Sequence, residues 1–157
     1  MFSVIEAGQS RQTQHSGVTV DRLSAEVEIL VPFYDIDMLG IAWHGHYAKY
    51  FEIARCALLD KIDYGYMKMQ ESGYIWPIID LQVRYVAALT FDQEIRVYAE
   101  LAEYEYRLTI KYRITDAQSG QRIAKGQTIQ VAVDSSTKEM CYASPSVLTE
   151  KLDSFSG

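Results

Sequence analysis

From Leu23 to Phe33 the chain alternates, with Ala25, Val27, Ile29, Val31 and Phe33 on one face and Ser24, Glu26 and Glu28 on the other. A period of two predicts a half-buried strand. Pro32, which has no N–H to give to a ladder, suits the end of that strand or an edge position. The period then changes. Between about Gly45 and Lys61, Tyr47, Tyr50, Phe51, Ala54, Ala57 and Leu58 recur at helical spacing, and Lys49, Glu52, Arg55 and Asp60 lie off that stripe. This predicts an amphipathic helix roughly 24 Å long. Asp63–Tyr66, with Gly65 inside it, ends the run, and a second short helix is expected around Met67–Ser72, stopped by Gly73.

After Trp76 and Pro77 the period of two returns. Strands are expected over 78–86, 94–104, 106–115 and 122–134, with turns at 116–121 and 135–140. Near the C-terminus, Ser144 followed by Pro145 marks a helix start, so a short terminal helix is expected. Residues 1–21 are polar and aperiodic and read as a loose lead-in, with His15 incidental. One strand, a long helix and a run of antiparallel strands make an α+β chain, the helix packed on one face of a meander. No repeat, low-complexity tract or linker divides it, so a single domain over 1–157 is expected.

Composition narrows the classes. The 157 residues are 48% hydrophobic and 23% charged, as in an ordinary globular domain. A net charge of −6 argues against a nucleic-acid partner but leaves room for a phosphate-bearing small molecule, which needs only a few local cations. Cys56 and Cys141 match neither a disulfide framework nor a metal spacing, which suits thiols in a reducing compartment. No basic start with an apolar core opens the sequence, and no run reaches the ~18 apolar residues of a membrane helix. The expectation is a soluble cytoplasmic protein with no membrane insertion.

Candidate chemistry concentrates in "YDIDMLGIAWHGHYAKYFEIAR", Tyr34 to Arg55. Asp35, Asp37, His44 and His46 stand just ahead of the predicted helix. A helix start presents unpaired N–H groups and partial positive charge, which stabilise an oxyanion such as that formed from a thioester carbonyl. Gly40 and Gly45 allow a turn or close approach of a ligand to the backbone. Asp at such a place is equally suited to capping a loop or helix. There is no glycine-rich phosphate loop, no Gly-x-Ser-x-Gly elbow and no His/Cys cluster at metal spacing.

In this stretch Asp35, Asp37, Gly40, Ile41, His44, Tyr47, Phe51, Glu52, Ala54 and Arg55 stand in one register. That register resembles the signature of hotdog-fold acyl-CoA thioesterases of the 4-hydroxybenzoyl-CoA thioesterase-like branch, and the likeness extends over about 23–140. The resemblance implies a five- or six-stranded antiparallel sheet wrapped around one long central helix. It also implies homodimers or homotetramers with active sites between subunits. The substrate would be an acyl-CoA or acyl-carrier protein, the coenzyme A or phosphopantetheine arm being part of it, with no separate cofactor and no metal.

On this resemblance Asp37 is the catalytic nucleophile or general base. His44 polarises the thioester carbonyl through its N–H and orients substrate or water through its ring. Gly40, Gly45 and Tyr47 contact substrate, and Asp35 is structural. His46 falls where the pattern often has Asn, so a capping or surface role is expected for it. Glu52 lies off the apolar stripe, which favours a solvated or interface position beside a cation. Arg107, Lys111 and Arg113 share one strand face, either solvated or in contact with phosphate. Two rival functions fit the same fold: a hydroxyacyl-thioester dehydratase pairing His44 with Glu52, and a non-catalytic acyl-CoA or carrier-protein binding module.

Overall fold

In a computed structural model, residues 11–13 and 19–156 are described, with side-chain environments from Arg22 to Phe155. Strand β1 (Arg11–Thr13) pairs antiparallel with β2 (Thr19–Asp21). These six residues of the expected lead-in lie in short strands. β-branched Thr13, Thr19 and Val20 suit a strand, but three-residue strands are too short to show a period. The rest of that segment, His15 included, lies outside the described residues.

β3 (Ser24–Leu30) follows and stops short of the expected Phe33. Pro32 sits in extended backbone, and Phe33–Asp35 turn as a 3₁₀ segment, so Phe33 leaves the strand face and is 75% exposed. Helix α1 (Tyr47–Asp60) is preceded by a 3₁₀ turn over His44–His46. Its core face comprises Tyr47, Tyr50, Phe51, Ala54 and Leu58, with no Gly or Pro inside the helix. Asp63, with φ 55°, turns the chain left-handed just past the helix end. α2 (Tyr66–Glu71) and α3 (Ser146–Ser156) fall where short helices were expected.

The strands after α1 are β4 (Tyr74–Ile75), β5 (Ile78–Tyr85), β6 (Glu94–Glu103), β7 (Leu108–Asp116), β8 (Arg122–Gln130) and β9 (Val133–Asp134). β3, β6, β7, β8 and β5 form one five-stranded antiparallel sheet in that spatial order. The expected strand over 122–134 is broken at Val131 and Ala132, and its last two residues pair with β4 instead. β4 itself was not foreseen, because two residues carry no period.

α1 lies against the inner face of this sheet. Ile95, Val97, Ala99, Ile110, Tyr112 and Ile114 point toward it and are buried. The Phe51 ring stacks on that of Tyr112, centroids 4.4 Å apart and planes 6° apart. Burying a ring of this size contributes about 2 kcal/mol. Gly126 in β8 makes the approach possible: a Cβ there would fall 2.2 Å from the Gln82 carbonyl oxygen and 2.6 Å from the Phe51 ring.

Arg55 departs from the expectation that it lies off the core stripe, since it is 2% exposed. Tyr66 of α2 and Glu52 cover it, each hydrogen-bonded to its Nη2. Glu52 is thus the exposed member of an i,i+3 ion pair, as expected from its position. Cys56 and Cys141 are free thiols. No helix among the described residues is long and apolar enough to cross a membrane.

Candidate active site

The loop ahead of α1 is a small hairpin. Ile36 and Ala42 form an antiparallel bridge, the Asp37 N–H donates to Ile41 O at 2.9 Å, and Gly40 N–H donates to Asp37 O at 3.0 Å. Gly40 has φ 79°, so the turn itself requires glycine there. The Trp43 N–H donates to Asp35 O at 2.9 Å and that of Ala42 to Leu89 O at 2.8 Å, fixing the path into the helix. Met38 and Leu39 at the tip are almost fully exposed.

The two aspartates meet opposite environments. Asp35 is 1% exposed and accepts from Lys49 Nζ at 2.5 and 2.6 Å and from Tyr50 Oη at 2.7 Å. His46 Nε2 lies 3.7 Å from the same carboxylate. Burial pushes the Asp35 carboxyl upward, but the hydrogen bonds from Lys49 and Tyr50 outweigh it and hold the group below the ordinary Asp range. Tyr50 is raised above the ordinary phenol range by burial and by that carboxylate. Asp35 therefore ties the loop to α1. His46 turns toward it and makes no side-chain capping bond.

Asp37 is half-buried. Its Oδ1 accepts from the Leu39 N–H at 2.8 Å, an Asx turn that orients the carboxylate. Among the described residues no cation lies within 4.0 Å of it, and Oδ2 accepts no hydrogen bond. The carboxylate is positioned by its own loop while one oxygen stays available.

At the helix entry the N–H groups of His44 and Gly45 find no acceptor among the described residues, whereas that of His46 bonds Trp43 O at 3.0 Å. These are the orphan donors that every helix start presents. The His44 carbonyl accepts from Tyr85 Oη at 2.7 Å, and the Tyr85 ring stands edge-on to Tyr47 with centroids 4.8 Å apart. Burial raises the Tyr85 phenol above its usual range, which keeps it a donor. Gly45 serves packing directly: a Cβ there would sit 2.1 Å from the Trp43 ring. Tyr47, expected to contact substrate, is 2% exposed in the single chain and packs in the core. The exposed aromatic rings near the entry are instead Trp43 and Tyr85.

The hairpin thus sets Asp37 and the His44–Gly45 amides on one short path, with no hydrogen bond or ion pair joining Asp37 to His44. Tyr85 is the contributor that sequence reasoning missed. Its strand was foreseen, but no local pattern announces a hydroxyl that crosses 41 residues to a backbone carbonyl. Arg107 lies outside β7 and pairs with Glu103, separating it from Lys111 and Arg113.

The sequence profile of the thioesterase-like superfamily matches residues 31–152. YneP of Bacillus subtilis (strain 168), a candidate acyl-CoA thioesterase, is 25% identical over 108 residues, covering 68% of this chain and 78% of its own. The crystal structure of DHNA-CoA thioesterase from Staphylococcus aureus superposes with TM-score 0.74 at 25% identity, over 83% of this chain and 89% of that one. A 4-hydroxybenzoyl-CoA thioesterase bound to 4-hydroxybenzoyl-CoA shares the fold with TM-score 0.71 at 16% identity, over 82% of this chain and 98% of that one. The sheet around its central helix is the hotdog architecture, and the chain belongs to the thioesterase-like superfamily.

Proposed function

We propose that this chain hydrolyses acyl-CoA thioesters. Asp37 either attacks the thioester carbonyl or takes the proton of the water that does so. The His44 and Gly45 N–H groups receive the oxyanion at the start of α1, where the helix dipole adds to their effect. The C–S bond then breaks, and the thiolate leaves and is protonated to the free thiol. Where Asp37 is the nucleophile, water then hydrolyses the acyl–Asp37 anhydride, so that either route ends in the free acid with the Asp37 carboxylate restored. Tyr85, bonded to the His44 carbonyl, holds that peptide in orientation. The observation that supports the reading is that, among the described residues, one short hairpin carries both a half-buried carboxylate with no cation within 4.0 Å and two helix-start amides without an acceptor.

The rival dehydratase would need His44 and Glu52 to act together. Glu52 is engaged by Arg55 at 3.2 Å and Tyr66 at 2.7 Å, which argues against that role.

The active unit in this proposal is at least a dimer joined through β5. That strand is at the sheet edge and exposes Ile78, Ile79 and Leu81, a row that invites pairing. A second copy would also close the open site beside the helix entry.

Thiol release from a panel of acyl-CoA and acyl-carrier-protein substrates tests the reading. Wild type should release thiol, and Asp37→Asn should lower the rate by roughly 10²–10⁴ with an unchanged melting temperature. Enoyl product from a hydroxyacyl-CoA would select the dehydratase. Binding with no thiol release across the panel would select the binding module.

A further inference from the structure

The outer face of the sheet, turned away from α1, carries a line of cations. Arg84 of β5 lies opposite Lys125 of β8, and Lys125 lies opposite Arg113 of β7. Lys111 stands two residues from Arg113 on the same face, and Arg122 extends the patch. Like charges directly opposite on neighbouring strands are destabilising, and here two such pairs are adjacent. The whole chain carries −6, so the patch runs against its overall charge.

Carboxylates on this face have their short ion pairs with other cations, while Glu100 stands opposite Lys111 across β6 and β7 and Glu26 feels Arg113 at longer range. Glu100 pairs with Arg22 at 2.9 Å, while Glu26 and Glu28 lie 3.6 and 3.1 Å from Arg96. Among the described residues no carboxylate comes within 4.0 Å of the charged groups of Arg84, Lys111, Arg113, Arg122 or Lys125. Arg113 is held in place by the Tyr98 ring, its guanidinium carbon 4.5 Å from the centroid. Arg84, Lys111, Arg113 and Lys125 line a groove of about 530 Å³ together with Gln82 and Gln127, and Glu100 stands at its β6 side. That volume falls in the range of small-molecule sites.

We infer that this groove binds a multiply phosphorylated small molecule of nucleotide size. Several cations on three neighbouring strands present the donors that phosphate oxygens take, and the two arginines offer planar forks for bidentate contact. An anion between Arg84, Lys125 and Arg113 would convert two repulsive cross-strand pairs into a shared clamp. A second copy docked face to face would set this line of cations against its own image. Pairing of β5 with a second copy extends the sheet and leaves the face open. The nucleotide end of coenzyme A and a free polyphosphate share the required chemistry.

Isothermal titration of the full chain at low ionic strength tests the inference, with coenzyme A, adenosine 3′,5′-bisphosphate, tripolyphosphate and pantetheine as probes. Phosphate-bearing probes are expected to bind, with affinity falling as salt rises, and pantetheine is not. Binding of the two adenosine compounds without tripolyphosphate marks the coenzyme's nucleotide end as the source. Tripolyphosphate binding as tightly as either marks a free polyphosphate.

The double variant R113Q/K125Q should weaken phosphate binding by at least about tenfold. Arg84→Gln, from another strand, should weaken it separately. No binding by any phosphate probe, unchanged affinity in these variants, or capture of an acidic carrier protein while the small phosphates fail would overturn the inference. Thiol release is read in parallel. Phosphate binding without thioester hydrolysis would sink the proposed reaction and leave the groove standing, and hydrolysis without phosphate binding would do the reverse.

Discussion

Asp35 and Asp37 are two residues apart and differ in almost every physical respect. Asp35 is 1% exposed and satisfied by Lys49 and Tyr50, while Asp37 keeps one oxygen without a partner among the described residues. Replacing Asp35 by Asn removes the charge that compensates Lys49 and should destabilise the fold by roughly 2–3 kcal/mol at pH 7. The pH dependence has a definite sign. The folded carboxyl lies below its unfolded value near ~3.9, so its contribution is complete above that value and is lost as pH falls through the folded one. Urea melts at neutral and acidic pH should therefore show the gap between wild type and Asp35→Asn shrinking in acid. A gap that is constant with pH would remove the ion pair as its cause.

The buried, structural place of Asp35 was legible in the sequence only through the register of the family signature. Their local neighbourhoods, acid then apolar then acid, look alike. What separates them is that Tyr50 and Lys49 come round one helix turn to reach Asp35, which is three-dimensional information. Arg55 shows the same limit: its place off the stripe reads as solvent, and only Tyr66, eleven residues on, makes that place an interior.

Among the elements, long periodic ones were readable and short ones were not. α1 and the five strands of the main sheet fall close to their expected positions because each spans at least seven residues with a steady period. The first and fourth strands and the 3₁₀ turn before α1 rest on two or three residues each, and a hairpin register or a proline decides them. Packing of helix on sheet depends on Gly126, a position that looks like a weak spot in a strand until Phe51 is placed over it. Gly126→Ala should push Phe51 off Tyr112 and cost roughly 2 kcal/mol, measured by denaturant unfolding. A change below about 0.5 kcal/mol would mean that helix and sheet have room to separate.

For the molecule as a whole, the proposed dimer rests on the exposed apolar row of β5. Leu81, 45% exposed on the sheet edge, should be buried when two copies pair. Leu81→Lys is expected to shift the protein to monomer in light scattering and to lower thiol release with it. A monomeric variant that keeps full activity would place the whole site within one chain.

β5 also joins the two faces. Tyr85 turns inward to hold the His44 carbonyl, and its neighbour Arg84 turns outward into the cationic groove. Because successive side chains alternate where the pairing with β8 is unbroken, a one-residue slip of β5 over Asp80–Tyr85 would send the guanidinium toward the helix and the phenol away from the His44 carbonyl. The length of that stretch is therefore under a parity constraint: changes are expected to come in pairs or to be absorbed by a bulge such as the one at Ile78/Asp80, and an uncompensated single-residue slip would disturb the proposed site and the proposed groove at once.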